Sequence, residues 1–160
     1  RQMCIRDSCW STHEYPDVSD NLLEADDDFM AVMGTMYPGV YYIRAYASNK
    51  IGTGYSRTLV LDTRTVPVVD EIEVLDATTY TFRSRVLENG GGNISECGFC
   101  WNTVGEPNIW DYSVQADSDF TATLGDLSPG VYYIRAYVIN EKGVGYGPGY
   151  SIIVSPEGVD

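Results

Sequence analysis

Pro38-Gly39-Val40-Tyr41-Tyr42-Ile43-Arg44-Ala45-Tyr46 returns letter for letter as Pro129-Gly130-Val131-Tyr132-Tyr133-Ile134-Arg135-Ala136-Tyr137. Each copy leaves a Pro-Gly turn and enters a run whose side chains alternate between two faces, the period of a β-strand. Tyr132, Ile134, Ala136 and Val138 share one parity, and Tyr133, Arg135 and Tyr137 share the other. Arg135 sets the phase, because a guanidinium is not buried without a partner. The sequence therefore predicts Tyr133, Arg135 and Tyr137 on an outer face, with Tyr42, Arg44 and Tyr46 as their counterparts.

The repeat extends well beyond this strand. With the same offset, 100 − 9 = 91 residues, Cys9-Trp10 falls on Cys100-Trp101 and Phe29 on Phe120. From residue 9 to residue 55, 24 of 47 positions are identical without a gap. A period of about ninety residues is too long for a solenoid unit and indicates a duplicated domain. In the second copy, Tyr80, Phe82 and Val86 alternate with Arg83 and Arg85, and Phe120, Ala122 and Leu124 with Thr121 and Thr123. Further strands are expected over residues 66–75, 95–102 and 150–154. Gly90-Gly91-Gly92, Pro129-Gly130 and Gly143-Val144-Gly145 read as turns between them. About seven short strands in roughly ninety residues is the pattern of an immunoglobulin-like sandwich. Thirteen Tyr and sixteen Gly agree with an all-β fold of strands and turns.

The expected organisation is two tandem sandwiches joined at Arg64-Thr65, with Pro67 stiffening entry to the second. The first covers residues 9–63 and the second residues 65–155, and residues 156–160 form a tail or the start of another linker. Nothing in the first copy matches residues 66–99, so it is expected to lack its opening strands and to leave Phe29, Ala31, Met33, Tyr41, Ile43 and Ala45 partly uncovered. Residues 1–8 read as a translated sequencing adapter: the codons CGT CAG ATG TGT ATA AGA GAC AG encode residues 1 to 7 and begin Ser8. Cys4 is set aside with them.

The motif Leu127-Ser128-Pro129-Gly130-Val131-Tyr132-Tyr133-Ile134-Arg135-Ala136-Tyr137, followed by Asn140 and residues 143–146, resembles the end of fibronectin type III modules. With Cys97-Gly98-Phe99-Cys100-Trp101-Asn102-Thr103, it is similar to the tandem type III-like repeats of Bacteroidetes surface and secreted proteins. That resemblance implies a corner formed by the tyrosine that opens the long strand, Tyr132 here and Tyr41 in the first copy. It also implies an extracellular or cell-surface module used for spacing, adhesion or glycan-system attachment, without catalysis or cofactor, and with neighbouring domains of the same longer protein as partners.

Composition narrows the partners. A net charge of −13 argues against nucleic acid, whose phosphates need a clustered basic surface. No run of eighteen apolar residues is present, so no membrane-spanning helix is expected. His13 stands alone, with Val104 at the matching place in the second copy, and reads as a loop residue and not as a general base. Cys97 and Cys100 lie three apart on one strand and point to opposite faces, too far apart to bond. No second pair completes a zinc site. Cys97 is expected in the core and Cys100 partly covered, with no disulfide in the chain. Asp26-Asp27-Asp28 and Asp117-Ser118-Asp119 occupy matching positions before Phe29 and Phe120, and lack the glycine-spaced loop of a strong calcium site. Asn93-Ile94-Ser95 is formally a glycosylation sequon.

Two functional readings remain open at this stage. Tyr42, Arg44 and Tyr46, with Tyr133, Arg135 and Tyr137, form either a stabilising ladder on a spacer or a platform for a glycan or a protein partner. Residues two apart on one face stand about 7 Å apart, close enough for each guanidinium to lie between its two flanking rings.

Overall fold

The computed structural model describes residues 5–156, and every regular element among them is a β-strand. The chain divides into two compact units, residues 1–64 and 65–160.

The second unit contains β6 (Val68–Val69), β7 (Glu73–Asp76), β8 (Thr81–Arg83), β9 (Val86–Glu88), β10 (Glu96–Asn102), β11 (Tyr112–Gln115), β12 (Thr121–Thr123), β13 (Gly130–Asn140), β14 (Gly143–Tyr146) and β15 (Tyr150–Val154). One sheet runs β11-β10-β13-β14, with β15 pairing β13 on the same edge as β14; the other runs β12-β8-β7, and β6 pairs β9. All pairings are antiparallel. The sheets meet through one core, in which Phe82 and Ala122 from one side pack with Phe99, Trp101, Ile134, Ala136 and Val138 from the other. Phe99 centres this core, its ring 6.2 Å from Phe82 and 5.6 Å from Phe120. Burying a phenylalanine in this way contributes about 1.5–3 kcal/mol relative to leaving it exposed. Two sheets sharing one apolar layer make a β-sandwich.

The observed strands differ from the sequence expectation in three places. The run from Tyr80 to Val86 breaks after Arg83: Ser84 is buried and donates its hydroxyl to the Asp70 carbonyl at 3.0 Å, and Val86 opens a separate strand against β6. Residues 66–75 break at the same level, where Asp70 N donates to the Arg85 carbonyl at 2.9 Å. Gly143-Val144-Gly145 is a strand, not a turn, because Pro67 passes over it: a Cβ on Gly145 would stand 1.9 Å from the Pro67 carbonyl oxygen. Only glycine fits there, so the residue type reports close packing instead of a bend.

The first unit has β1 (Ile5–Ser11), β2 (Asn21–Glu24), β3 (Val40–Ser48), β4 (Thr53–Tyr55) and β5 (Leu59–Asp62), in one sheet ordered β2-β1-β3-β4 with β5 pairing β3. It is the counterpart, strand for strand, of β10, β11, β13, β14 and β15. Residues 5–8, set apart from the fold in the sequence reading, form the first half of β1, since ladder pairing uses backbone groups that any sequence carries. Among the described residues no second sheet faces this one. Phe29 is 44% exposed where Phe120 is 6% exposed, and residues 30–33 form no strand where Thr121–Thr123 forms β12.

Tyr132 donates its hydroxyl to the Ser128 carbonyl at 3.0 Å, and Tyr41 donates to the Tyr37 carbonyl at 2.6 Å. The tyrosine corner thus forms in both units and ties the long strand to the loop before it; with the Trp10 ring 5.6 Å away it leaves Tyr41 buried, where the sequence predicts a partly missing cover.

Candidate functional site

The outer face of β13 keeps the predicted parity but not the predicted exposure. Tyr137 is only 2% exposed and Tyr46 only 6%. The reason lies on the neighbouring strand. Gly98 pairs with Tyr137 and has no side chain, so the phenol ring lies flat across β10; a Cβ on Gly98 would sit 2.7 Å from the Tyr137 hydroxyl. That hydroxyl donates to Glu96 Oε1 at 2.6 Å. Burial first, and the Glu96 carboxylate second, push the Tyr137 phenol well above its ordinary value of 10.0. In the first unit Ile5 stands where Glu96 does, and Asp7, at the position of Gly98 and directly across from Tyr46, accepts from the Tyr46 hydroxyl at 3.3 Å. Burial and Asp7 raise that phenol as well.

The arginines also depart from the expectation. Arg135 Cζ lies 4.6 Å from the Tyr146 ring centre, and Arg44 Cζ lies 4.3 Å from that of Tyr55. Each guanidinium turns sideways to the adjacent strand instead of lying between Tyr133 and Tyr137, or between Tyr42 and Tyr46. Tyr146 lies opposite Tyr137, and Tyr55 opposite Tyr46, so each ring is the diagonal neighbour of its arginine, about 7–8 Å away across the strand pair and within reach of a long side chain. Arg135 Nε donates to the Gly147 carbonyl at 3.2 Å, and Arg44 Nε to the Ser56 carbonyl at 3.1 Å. The Tyr146 hydroxyl in turn accepts from Ile109 N at 3.1 Å, and the Tyr55 hydroxyl from Val18 N at 3.2 Å. Arginine, tyrosine and hairpin loop form the same chain of contacts in both units.

Of the predicted face, Tyr133 and Arg135 remain accessible. With Gly105, Glu106, Pro107, Pro148 and Tyr150 they line a cleft of about 440 Å³, at the place where the edge strand is interrupted between β14 and β15. The first unit has a smaller cleft of about 180 Å³ lined by Glu14, Tyr15, Tyr42, Thr58 and Val60, residue for residue the matching positions. Both clefts include a non-glycine residue in the left-handed region, Glu106 with φ 42° and Tyr15 with φ 57°. Such a conformation is disfavoured unless its surroundings impose it.

Sequence reasoning overlooked two aromatics. Trp110 is 89% exposed, and Tyr112 beside it stacks on Trp101 with ring centres 6.0 Å apart. Ser19 and Asn21 hold these positions in the first copy, and that loss of aromatics between copies is the signal that marks them.

The other candidates resolve into structural roles. His13 Nε2 meets Asp20 Oδ1 at 2.9 Å, and its hydrogen bond with the Glu14 carbonyl, followed by that with Asp20, raises its pKa. Cys100 is fully buried, not partly covered, since it lies under the Arg135 backbone with Sγ 3.6 Å from that carbonyl; burial raises its thiol from 9.0 to about 11. Cys97 packs at the core margin. Cys9, Cys97 and Cys100 are free thiols, and Cys4 lies outside the described residues. Among the described residues no group of three or more His, Cys, Asp or Glu is placed to hold a metal. Asp117 Oδ1 instead accepts from Thr121 N at 3.0 Å, and Asp26 Oδ1 from Met30 N at 2.8 Å. Each closes a turn that holds Phe120 at φ 59° or Phe29 at φ 66°.

No family model matches the chain, and no curated protein matches it. Solved structures similar to it include the FN1–FN3 domains of chicken CNTN1, at 13% identity and TM-score 0.47, covering 96% of this chain and 56% of that one. A structure of domains from titin overlaps at 14% identity and TM-score 0.45, covering 97% of this chain and 59% of that one. The chain thus spans less than two thirds of either. The sandwich architecture rests on the two facing sheets and shared core of the second unit. No helix among the described residues is long and apolar enough to cross a membrane.

Proposed function

We propose that this chain is a non-catalytic pair of modules that spaces or presents other domains of a longer bacterial cell-surface or secreted protein. One observation carries the reading. The polar side chains that would be nominated for chemistry are engaged in framework contacts in both copies: the arginine with the backbone carbonyl just past β14 or β4 and the first aspartate of the acidic loop with its turn amide, at matching positions, and the buried tyrosine with a carboxylate of the adjacent strand, from Glu96 in one copy and Asp7 in the other. A duplicated unit whose repeated residues maintain its own shape suits a spacer, and the charge of −13 keeps it soluble in crowded surroundings. The test is to delete residues 65–155 from the full-length protein. Delivery to the cell exterior with the activity of the other domains reduced only by altered reach agrees with spacing; loss of binding to a defined ligand overturns it.

A second reading, direct carbohydrate or protein binding, is favoured by the cleft of Tyr133, Arg135 and Tyr150 and by the exposed Trp110. Glycan-array binding by this chain that vanishes in Tyr133→Ala with Tyr150→Ala, or in Trp110→Ala, would establish it.

A further inference from the structure

In the second unit the inner face of the five-stranded sheet is covered by β6 to β9, and several groups seat that cover. Pro67 crosses Gly145 so closely that no Cβ fits, and Val66 Cγ1 lies 3.5 Å from the Cβ position of Gly143. Asn140 Nδ2 donates to the Thr65 carbonyl at 2.8 Å and to the Asn89 carbonyl at 2.9 Å, clasping both ends of the covering segment. Ser84 N donates to the Phe120 carbonyl and Leu124 N to the Tyr80 carbonyl, and β12 zips onto β8 between these bonds. Arg83 and Asp119 line the same surface hollow.

Among the described residues, the first unit presents each receiving group without the segment that it receives. Gly52 and Gly54 match Gly143 and Gly145, and a Cβ on either would meet nothing within 4 Å. Asn49 matches Asn140; its Oδ1 holds the turn through Ile51 N and Gly52 N, while among the described residues its Nδ2 has no partner. Asp26 and Phe29 form the same launching turn as Asp117 and Phe120, with Met30 closing it, yet the residues that follow are apolar and join no strand, with Met30 67% and Val32 84% exposed. Asp28 stands at the position of Asp119.

We infer that the uncovered face of the first unit is an acceptor for a β-hairpin segment of the type of residues 65–90, docking by strand addition to residues 29–33 and filling the groove over Gly54. Recognition would come from backbone pairing along residues 29–33, from apolar side chains such as Val69 and Phe82 entering over Ile43 and Trp10, and from Arg83 approaching the acidic loop. The occupant is a segment of this repeat's own chemistry, with a glycine turn at its end and Asn49 as its clasp. Specificity follows from register, since a one-residue slip would turn Phe82 away from the face.

The experiment uses the full 160-residue chain and a synthetic peptide of residues 65–90, followed by hydrogen–deuterium exchange. The expected result is saturable protection of amides in residues 29–34, slowed at least tenfold, with residues 120–124 unchanged and with no effect from the Phe82→Asp peptide. A second protein carries an extra copy of residues 65–95 joined ahead of Ile5, which removes any dependence on peptide solubility or affinity; protection of residues 29–34 in that protein alone also supports the acceptor face. Unchanged exchange of residues 29–34 in both formats overturns the inference, as does equal protection by the Phe82→Asp peptide or protection confined to residues 120–124.

Discussion

The Tyr137 hydroxyl donates to Glu96 Oε1 at 2.6 Å, two positions along β10 from Gly98, the residue across which the ring lies. A hydrogen bond, a missing side chain and a buried ring are therefore one device. Tyr137→Phe should cost about 1 kcal/mol in urea unfolding, since Glu96 can rehydrate in part. Gly98→Ala should cost more, up to about 3 kcal/mol, because its Cβ would stand 2.2 Å from the Val114 carbonyl oxygen, a backbone atom that cannot swing away.

The same phenol gives an alkaline signature. Its folded pKa is raised above the ordinary 10.0, so its contribution to stability is complete below that value and is lost as pH rises through the raised one. Cys100, raised from 9.0 to about 11, acts with the same sign over pH 9 to 11. Denaturant midpoints should fall steadily above pH 9, and Tyr137→Phe should flatten the fall above pH 10. A midpoint that holds or rises over that range would contradict the burial of both groups.

Thiol accessibility separates the cysteines. Cys9 and Cys100 are both fully buried, while Cys97 is partly accessible at the core margin. Reaction with a thiol reagent at neutral pH should label Cys97 well before Cys100, because the thiolate is the reacting species and burial suppresses it. Intact mass without reductant should equal that of the fully reduced chain.

Much of this architecture was legible in the sequence, and the exceptions have physical causes. Period-two alternation located β13 and its inward residues Ile134, Ala136 and Val138, because a strand with one apolar face records its own phase. It failed at Tyr137, where parity gives the side but not the cover, and the cover depends on Gly98 in another strand. Gly143 and Gly145 read as turn residues, yet the reason for Gly145 is the backbone of Pro67, 145 − 67 = 78 positions away in sequence. The arginine ladder failed likewise: Tyr146 lies on the adjacent strand, and a one-dimensional pattern cannot show lateral neighbours. The recurring cleft beside Tyr133 and Arg135 joins a hairpin loop to a break in an edge strand, and neither element has a sequence signature of its own.

The tyrosine corner should be worth a similar amount in both units. Tyr132→Phe leaves the Ser128 carbonyl without its donor, and Tyr41→Phe does the same to the Tyr37 carbonyl. A loss of about 0.5–1.5 kcal/mol is expected for Tyr132→Phe, measured on the second unit's unfolding transition. No measurable loss would reduce the corner to a coincidence of geometry.

The acidic turns make a prediction about calcium. Asp117 Oδ1 already accepts the Thr121 amide, so its carboxylate serves the turn that places Phe120 in the core. Asp117→Asn retains an acceptor oxygen and should be nearly neutral, whereas Asp117→Ala should destabilise by about 1 kcal/mol. Millimolar calcium should leave the thermal midpoint within a degree or two. A large upward shift that disappears in Asp117→Asn with Asp119→Asn would instead reveal a metal site.

The sharpest contrast is between the two copies of one motif. Phe120, Leu124, Ile134 and Ala136 are buried in a shared core, while Phe29 is largely open and Met33, Ile43 and Ala45 are half-buried, on a sheet with no facing partner among the described residues. Each large apolar side chain left uncovered forgoes a good part of about 1.5–3 kcal/mol, so the first unit should open at lower free energy than the second. Trypsin reads the difference directly. Lys50 and Arg57 are exposed, in the turn between β3 and β4 and in the break between β4 and β5, and Arg83 and Arg85 are exposed in the second unit. Arg83 is nevertheless held in a ladder and paired with Glu73, and Arg85 with Asp70. Limited digestion should therefore cut after Lys50 or Arg57 first and accumulate a resistant fragment beginning near Thr65. First cuts after Arg83 or Arg85, or a fragment of residues 5–63 that outlasts the rest, would show that the single sheet is stabilised in some way that its exposed face does not reveal.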